Sequence, residues 1–461
     1  MNDLSPSTCT IAATGDSIIT RRVSHLIDRT EGFAELRSVL SAADTTVTNL
    51  EVLVPNEDAS ATPSVPVPSQ YQYLSPLSGV LMRADPYVLD ELDALGIDIF
   101  TTTSNHSFDY GRSGICSTAA ALNERRLPFA GMGETLVEAR RPTYCETSGG
   151  RAGLVAATTS VPPGSEAGNA SSIHPGRPGI NPLHLRWVYG ATAEQLEQLR
   201  HLADTLGVEE MKSTWLDRSE PGWDDGPYFW FMHMPFEEVD SAADVGVRYE
   251  PLGDDRRAYL GSVADAAKNA DRTIATLHSH QSAGGVRNTS ETPDFLRAFA
   301  RECIDEGADI FVVTGPHVLR GMEIYDGCPI FYSLGNLFYQ TETIERLPPE
   351  SFEFYGVDDP TAVTDLFDSR YTDIDGNPIG SLAREEYWET IVPVCEFSED
   401  GLESVRVYPC TLGQNRDRPQ RGTPVVASGE YATEILERFE SLSSPASIDL
   451  HIEDNIGVVE P

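Results

Sequence analysis

Two segments of this sequence combine residue types that can carry out acid–base chemistry. In the first, Asn105, His106 and Asp109 bring an amide oxygen, an imidazole and a carboxylate onto one strand-to-helix turn. A carboxylate three residues after a histidine can hold the imidazole in one tautomer and raise its basicity, as a catalytic base requires. The second segment contains His317 and precedes an apolar run that leads to Asn336. Both segments are therefore candidates for the chemical centre of the protein.

Other polar residues occur in the same kind of position, at or just beyond the end of an apolar run. They are Asp16, Asn49, Glu51, His278 and His280. If each run is a strand of an open α/β sheet, these side chains meet in the crevice at the carboxyl edge of the sheet. A single such residue is commonly part of a turn, but this collection of carboxylates, amides and imidazoles is typical of a divalent-cation site.

The elements that must position these residues alternate between strands and helices. Strands are predicted at 10–14, 45–50, 97–103, 152–159, 273–277, 310–313 and 330–332, with a closing hairpin over 390–408. Helices are predicted at 85–95, 113–126, 191–206, 261–270 and 293–306, and one more is marked by the spacing of Phe33, Leu36, Val39 and Leu40. Loops are predicted at 54–76 and 161–190. This alternation predicts an α/β layered architecture.

The charge balance excludes two classes of partner. The chain has 461 residues, with 33 Lys+Arg against 72 Asp+Glu, and a formal net charge of −39. The electrostatic field of such a negative chain repels phosphate backbones and anionic lipid head groups. This argues against binding to nucleic acid or to a membrane surface. Hydrophobic residues make up 40% of the chain, enough for a packed core, so wholesale disorder is excluded.

The cysteines and the N-terminal residues bear on the compartment. Seven cysteines are scattered without a CxxC pair, which is not the pattern of a disulfide framework or a zinc ribbon. Residues 1–10 lack the basic and apolar regions of a signal peptide, and no apolar run is long enough to cross a bilayer. These features predict a cytoplasmic protein.

Taken together, the motifs resemble a known family. They are TGDS (14–17), TNLE (48–51), SNHSFDYG (104–111), RPGINPL (177–183), LHSHQ (277–281), GPHVLRG (315–321) and IFYSLGNLFY (330–339). As an ordered set they resemble the CapA-like branch of the calcineurin-type metallophosphatases, a branch named for a protein of poly-γ-glutamate capsule biosynthesis. The resemblance implies a four-layer αββα metallophosphatase-like sandwich with insertions. We expect this domain to span 8–412, with insertions at about 160–260 and 340–385, and a C-terminal helix and tail, 413–461, to pack on it.

The resemblance also implies a set of metal ligands. Carried over position by position, these are Asp16, Glu51, Asn105 and His278. Two histidines of the family's two-metal pattern are absent, because Ile18 and Gly315 stand in their places. The resemblance with these departures implies one divalent cation, Ca²⁺ in the first instance, with Mn²⁺, Mg²⁺ and Zn²⁺ as alternatives.

With one cation, the mechanism that the resemblance implies is proton transfer. The pairs His106–Asp109 and His317–Asp16 would flank one carbon, as inversion of an amino-acid Cα requires. Since members of this branch are associated with D-residues in peptides, we expect a metal-dependent peptide epimerase that converts an L-residue to the D form. Two alternatives stay open: a hydrolase of phosphoester or γ-glutamyl amide bonds that uses metal-bound water, and a non-catalytic subunit of poly-γ-glutamate capsule biosynthesis.

Substrate-binding residues are less strongly indicated. The expected substrate is a peptide or polyglutamate, and Arg177 could bind a carboxylate of it bidentately or brace the long loop. His280 could be a ligand, could orient a ligand or could be only a polar neighbour. Asn336 is expected to cap a turn, and His184 to be an ordinary surface or core residue.

Overall fold

The structure is a computed structural model, and it describes residues 8–62, 80–208, 210–211, 227–232, 234–443 and 448–461. The α-helices within these residues are α1 Glu31–Ala42, α2 Tyr87–Leu95, α3 Gly111–Arg125, α4 Leu136–Arg140, α5 Ala193–Leu206, α6 Gly253–Asn269, α7 Asp294–Asp305, α8 Pro349–Phe354, α9 Val363–Tyr371 and α10 Glu430–Ser443.

The strands of the same residues are β1 Cys9–Ile18, β2 Thr45–Leu50, β3 Ile99–Thr101, β4 Phe129–Ala130, β5 Met132–Gly133, β6 Thr143–Thr147, β7 Gly150–Thr158, β8 Gly179–Ile180, β9 Leu185–Ala191, β10 Phe229–Phe231, β11 Met234–Glu238, β12 Gly246–Pro251, β13 Arg272–His278, β14 Ile310–Thr314, β15 Met322–Tyr325, β16 Cys328–Phe331, β17 Asn336–Tyr339, β18 Glu389–Ser398, β19 Gly401–Thr411, β20 Val425–Val426, β21 Leu450–Glu453 and β22 Ile456–Val459.

Two larger sheets contain the strands that lead to the polar residues. The ten-stranded sheet has the order β21-β22-β19-β18-β1-β2-β3-β4, with β17 paired to β1 and β20 to β19. The six-stranded sheet has the order β15-β16-β14-β13-β7-β6. In the first, β1, β2, β3 and β4 run parallel, and in the second β7, β13, β14 and β16 do so. Parallel strands bring their carboxyl ends to the same edge of a sheet, so each sheet can present a row of polar side chains there.

A close backbone crossing fixes the position of Asp16 in β1. The strand pairs antiparallel with β18 over its first residues and parallel with β17 from Asp16 onward. At the crossing, a Cβ atom on Gly15 would lie 2.0 Å from the carbonyl oxygen of Gly335, so only glycine fits there. The amide of Asp16 donates a hydrogen bond to that same carbonyl (3.2 Å). The carboxylate of Asp16 therefore stands on rigid backbone.

The three largest hydrophobic clusters of the described residues each involve one or both of the two larger sheets. The ten-stranded sheet packs one face on helices α1, α2 and α3 through Ala12, Ile18, Phe33, Leu36, Leu40, Leu50, Val88, Leu89, Leu92, Phe100 and Leu122. Its other face meets the six-stranded sheet through Ile11, Ala13, Val47, Ile99, Leu154, Ala156, Ile274, Ile310 and Val312. The far face of the six-stranded sheet packs on α6 and α7 through Val155, Ala157, Tyr259, Val263, Leu277, Leu296, Phe299, Phe311 and Val313.

The predicted α/β class is confirmed, and most predicted elements are present. Strand 45–50 has the predicted bounds, and α2 ends where expected, at Gly96 with φ of 100°. Segment 161–190, predicted as a loop, contains β8 and most of β9, which joins β10, β11 and β12 in a small sheet. The partners of β9 lie 40 or more residues away, so local sequence could not indicate it. Residues 63–79 of the predicted loop 54–76 lie outside the described part of the chain.

The C-terminal segment contains strands that were not predicted. After α10, β21 and β22 form a hairpin whose second strand pairs with β19 and extends the ten-stranded sheet. Among the described helices, none has the length and apolarity that would let it cross a lipid bilayer.

Candidate active site

The carboxyl ends of five parallel strands supply the polar residues that the sequence singled out. The residues are Asp16 in β1, Asn49 and Glu51 at the end of β2, Asn105, His106 and Asp109 after β3, His278 and His280 at the end of β13, and His317 after β14. All are buried, with at most 8% of each residue exposed. The structure therefore brings together side chains that are separated by up to 301 positions, and we call this group the polar cluster.

The carboxylate of Asp16 lies at the base of the polar cluster, where three groups contact or approach it. It accepts hydrogen bonds from Nδ2 of Asn49 (2.7 Å) and from the backbone amide of Gly315 (2.8 Å). Nδ1 of His278 lies 3.5 Å from it. Burial acts to raise the pKa of Asp16, but His278, His317 and Asn49 outweigh burial and lower that pKa to about 2. Asp16 is therefore ionised at neutral pH.

The environment of Glu51 suits a bound cation. Glu51 is fully buried, and neither carboxylate oxygen has a hydrogen-bond partner among the described residues. Its Oε1 lies 3.7 Å from Nε2 of His278. Burial, followed by the nearby charge of Asp16, raises the pKa of Glu51 well above its usual value. A buried carboxylate without partners is costly, and a bound cation would remove that cost.

Ligand-type atoms surround Glu51 in two overlapping groups. In one group, atoms of Asp16, Glu51 and His278 all lie within 4.8 Å of one another. In the other, atoms of Glu51, His280 and His317 do the same. The first group contains three of the four ligands that the sequence predicted. These donors fit a divalent cation, because they combine carboxylates with imidazoles at a common centre.

The fourth predicted ligand, Asn105, connects two histidines. Its Oδ1 lies 2.8 Å from Nε2 of His278 and 2.9 Å from Nε2 of His280. The other ring nitrogen of His280, Nδ1, lies 2.7 Å from Oδ1 of Asn288. Burial is the main cause that lowers the pKa of His280 well below its usual value, and the charge of Arg287 adds to the effect. His280 is therefore part of the polar cluster and is neutral.

His106 and Asp109 form the carboxylate–imidazole pair that their spacing predicts. Nδ1 of His106 donates to Oδ2 of Asp109 across 2.7 Å. The same oxygen accepts a hydrogen bond from the backbone amide of Met82 (2.6 Å), which holds the carboxylate in place. Because Nδ1 carries the proton in this arrangement, the lone pair of His106 is on Nε2.

His317 has a different partner from the one that the sequence indicated. Its Nδ1 lies 3.6 Å from Oδ2 of Asp16, beyond hydrogen-bond distance, and it donates instead to Oδ1 of Asn336 (2.8 Å). The amide nitrogen of Asn336 donates to the carbonyl oxygens of His317 and Tyr387, which fixes the orientation of the amide. Asn336 is therefore more than a turn cap, because it leaves the lone pair of His317 on Nε2.

Aromatic rings border His317 on the side of β17 and β18. The ring centroid of His317 lies 5.9 Å from that of Tyr339 and 6.3 Å from that of Tyr387. Trp388 packs edge-on against Tyr339 at 5.4 Å. Burial lowers the pKa of His317 to about 4, although the charge of Asp16 acts in the opposite direction. His317 is therefore a neutral imidazole at neutral pH and can accept a proton.

Arg177, the predicted substrate-binding residue, braces the long loop. Its side chain is exposed, and Nε donates to the carbonyl oxygen of Glu166 (3.0 Å). Its backbone pairs with Gly168. Sequence reasoning assigned no role to two residues that orient the histidines: Asn288 lies outside the motifs, and Thr314 begins the segment that contains His317 but gives no signal of its own. Thr314 lies 3.1 Å from Nδ1 of His278.

Comparison with known proteins gives consistent matches along the chain. A family model described as "Bacterial capsule synthesis protein PGA_cap" matches residues 10–341, a range that contains the whole polar cluster. The uncharacterized proteins y4sH and y4uA of Sinorhizobium fredii are each 34% identical to this chain over 459 residues, which covers 98% of the chain and 92% of each relative. The capsule biosynthesis protein CapA of Bacillus anthracis is 20% identical over 360 residues, which covers 77% of this chain and 66% of that protein.

Proposed function

Because the chain belongs to the PGA_cap family of bacterial capsule synthesis proteins, we propose that it is a metal-dependent enzyme that inverts the Cα configuration of a residue in a peptide, from L to D. One observation carries this proposal. His106 and His317 each have Nδ1 bonded to a fixed acceptor, Asp109 Oδ2 or Asn336 Oδ1, so that each offers a lone pair on Nε2 within the polar cluster.

The proton steps of an epimerisation match these two imidazoles. Nε2 of one histidine takes the Cα proton, and the electron pair left on carbon moves into the neighbouring carbonyl group. The other histidine, which starts protonated, returns a proton to the opposite face of Cα from its own Nε2. No oxidant or reductant is required, and the two histidines end with their protonation states exchanged.

Residues beside the histidines would hold the cation. Asp16, Glu51, Asn105 and His278 are the proposed ligands, and their carboxylate, amide and imidazole donors suit one divalent ion, with Ca²⁺ first among the alternatives. A bound cation would supply electrostatic stabilisation of the negative charge that develops on the carbonyl oxygen. The carboxylate of Asp109 and the amide of Asn336 keep the two imidazoles in the required tautomer throughout.

Two finer points of architecture belong to the same proposal. The packing of helices on the outer face of each sheet supports a four-layer αββα metallophosphatase-like sandwich. The position of β18 and β19 within the ten-stranded sheet supports a domain that spans 8–412, and α10 with β21 and β22 would then be the segment packed on it.

A second function, hydrolysis of phosphoester or γ-glutamyl amide bonds, is favoured by one specific observation. Glu51 belongs to both groups of ligand-type atoms, as a carboxylate shared by two metal ions would. Two cations together could clamp the attacking and leaving oxygens of a hydrolysis. The count of bound metal ions therefore separates the two functions, and elemental analysis of the purified protein measures it.

Reaction in D₂O tests the proposal directly. The protein is supplied with Ca²⁺ and with either α-linked or γ-linked oligo-L-glutamate, and peptide mass and residue chirality are followed. An epimerase adds one deuterium at Cα for each residue inverted and leaves the peptide length unchanged, whereas a hydrolase releases fragments without deuterium at Cα. Peptide that binds but gains no deuterium would contradict the proposal.

Variants of the two histidines sharpen the test. Removal of a positioned acid or base lowers turnover by roughly 10²–10⁴-fold, so His106→Ala and His317→Ala should each do so. Each single variant should retain exchange from one isomer only, because each histidine serves one face of the carbon. His451→Ala is the matched control, since that histidine lies exposed on β21. If both variants keep turnover within about tenfold of the parent, the assignment is wrong.

A further inference from the structure

A short loop next to His280 carries an arginine that the reaction does not use. We refer to residues 281–289 as the 281–289 loop. Within it, the backbones of Gln281 and Arg287 form an antiparallel bridge. The next residue, Asn288, donates its backbone amide to the carbonyl of His280 (3.3 Å), and its side chain contacts the ring of His280. Arg287 is therefore adjacent in sequence to a residue that orients a member of the polar cluster.

A buried arginine holds the 281–289 loop from beneath. Arg320 has no exposed surface, and its Nε donates to the carbonyl oxygen of Thr289 (2.9 Å). Its Nη2 donates to the carbonyl oxygen of Gln281 (2.9 Å) and to the hydroxyl of Ser282 (2.7 Å). These bonds tie both ends of the loop to the core, so the backbone of Arg287 is positioned before any ligand arrives.

The guanidinium group of Arg287 is half-buried without a carboxylate. Within the described ranges, it has no ion pair and no side-chain hydrogen bond. Two other partly buried arginines have acidic partners, in the pairs Arg301–Glu323 (2.8 Å) and Arg272–Asp309 (3.0 Å). In a chain with 72 acidic and 33 basic residues, a partner could easily have been provided. An unpaired buried charge is unfavourable, so its retention beside the polar cluster indicates an anionic ligand.

A second partly buried arginine, Arg370, lies on α9. Nη1 of Arg370 is buried and has no hydrogen-bond partner in the part of the chain that the structure describes. Its guanidinium carbon lies 5.2 Å from the ring centroid of Tyr371. The phenol of Tyr387, which borders His317, acts to raise the pKa values of both Arg287 and Arg370. Both guanidinium groups are therefore close to the aromatic side of the polar cluster.

We propose that Arg287 binds a carboxylate of the substrate and so selects an acidic peptide for the polar cluster. The inference rests on the proposed function, because it takes the polar cluster to be the reacting centre. A net charge of −39 repels an acidic peptide, so an acidic substrate needs a local cationic anchor, and the planar guanidinium group binds a carboxylate through two hydrogen bonds. Arg287 takes the role that the sequence suggested for Arg177.

Four peptides separate the two possible sources of the carboxylate. They are acetyl-tetraglutamate and acetyl-tetraglutamine, each with either a free C-terminal carboxylate or a C-terminal amide. Binding to the parent protein is measured by isothermal titration calorimetry in the presence of Ca²⁺. If side-chain carboxylates are recognised, both tetraglutamates bind better than the tetraglutamines. If the C-terminal carboxylate is recognised, both free acids bind better than the amides.

Variants of Arg287 then test the residue itself. A hydrogen-bonded ion pair of this kind is worth about 1.5–3 kcal/mol, so Arg287→Gln should weaken binding of the preferred peptides roughly tenfold or more. Arg287→Lys should give an intermediate loss, because it keeps the charge but loses the bidentate geometry. Binding of acetyl-tetraglutamine amide should not change. Arg177→Gln is the matched control and should bind all four peptides as the parent does.

Several outcomes would overturn the inference. These are equal binding of the four peptides by the parent, an Arg287→Gln variant that binds as the parent does, or a loss that Arg177→Gln reproduces. Melting temperatures of all variants, measured without peptide, identify any loss that comes from unfolding; the Arg287→Lys variant then serves as the test. Because binding is measured without turnover, carboxylate selection by Arg287 can hold even when no deuterium enters Cα. Failure of the inference and failure of the proposed function are therefore distinguishable.

Discussion

Nδ1 of His317 donates a 2.8 Å hydrogen bond to Oδ1 of Asn336, the first residue of β17. His317 itself has a left-handed backbone with φ of 60°, a conformation that costs free energy for any residue other than glycine. The bond joins the turn after β14, in the six-stranded sheet, to a strand of the ten-stranded sheet. The two sheets thus jointly orient this imidazole.

Replacement of Asn336 should impair proton transfer more than substrate binding. In Asn336→Leu, Nδ1 of His317 loses its acceptor, so the proton can move to Nε2 and the base is no longer available in its active tautomer. Loss of such an orienting group lowers activity by about 10–100-fold. We expect the loss of activity to appear as a lower kcat, and we expect KM to change less than kcat does. NMR of the ¹⁵N-labelled imidazole reports the tautomer, and an unchanged His317 tautomer would contradict the explanation.

Substitution of Glu51 should remove cation binding without loss of stability in the absence of metal. Among the described residues, neither buried oxygen of Glu51 has a hydrogen-bond partner, and burial raises the pKa of the group. Glu51→Gln therefore removes an unfavourable carboxylate as well as a ligand. Thermal unfolding in EDTA should show a variant at least as stable as the parent.

Addition of a divalent cation should distinguish the parent protein from the Glu51→Gln variant. A ligand present at about 100 times its Kd stabilises the folded state by about 2.7 kcal/mol, so Ca²⁺, Mn²⁺, Mg²⁺ or Zn²⁺ should raise the melting temperature of the parent but not of Glu51→Gln. Metal content after dialysis provides a second readout. An equal rise in both proteins would show that Glu51 is not a ligand.

How well the sequence predicts each strand depends on whether the strand has a clear local pattern and on how far away in sequence its paired strands lie. Strands β1, β2, β13 and β14 are apolar runs that end in polar residues, and local pattern is enough to find them. β9 is only intermediate in burial over most of its length, and its partners, β11 and β12, come from later in the chain. Without a local pattern or a near partner, such a strand cannot be recognised in advance.

The composition of the polar cluster and the His106–Asp109 pair could be predicted, but the partner of His317 could not. Strand ends indicated that Asp16 and His317 would meet, and they lie 3.6 Å apart. Whether His317 bonds to Asp16 or to Asn336 depends on differences of less than 1 Å, which follow from the packing of two sheets. The sequence likewise left two roles open for Arg177, carboxylate binding and bracing of the long loop, because local pattern does not show which atoms its guanidinium group contacts.

A histidine outside the polar cluster should make stability depend on pH. Nδ1 of His184 lies 2.6 Å from Oδ2 of Asp255, and Glu166 is 3.5 Å from its Nε2; Arg140 pairs with the other oxygen of Asp255. Burial acts to lower the pKa of His184, but hydrogen bonds to Asp255 and Glu166 outweigh it and raise that pKa to about 9. The unfolded value is near 6.5.

The sign of the effect follows from the direction of this shift. The folded state holds the proton more tightly, so the stabilisation is complete below pH about 6.5 and is lost as the pH rises through about 9. The side chain is 38% exposed, so solvent screening reduces the effect. We expect the difference in free energy of unfolding between the parent and His184→Gln to shrink between pH 6.5 and 9. A difference that stays constant across this range would contradict the assignment.

A methyl group at position 315 should disturb the cation site through His278. Gly315 has φ of 107°, and a Cβ atom there would lie 3.2 Å from Nε2 of His278 and 3.1 Å from the amide of Ser279. Gly315→Ala therefore strains the backbone and presses on a proposed ligand at the same time.

Gly327 is the matched control, because its φ is 75° and a Cβ atom there would meet nothing within 4 Å. Both alanine variants should lose about 1–3 kcal/mol of unfolding free energy from the left-handed backbone, measured with denaturant in EDTA. Only Gly315→Ala should also bind Ca²⁺ more weakly, since only there does the new side chain displace His278. Equal cation affinity in the two variants would mean that His278 tolerates the contact, and the imidazole would then not be held in place by the close approach of Gly315.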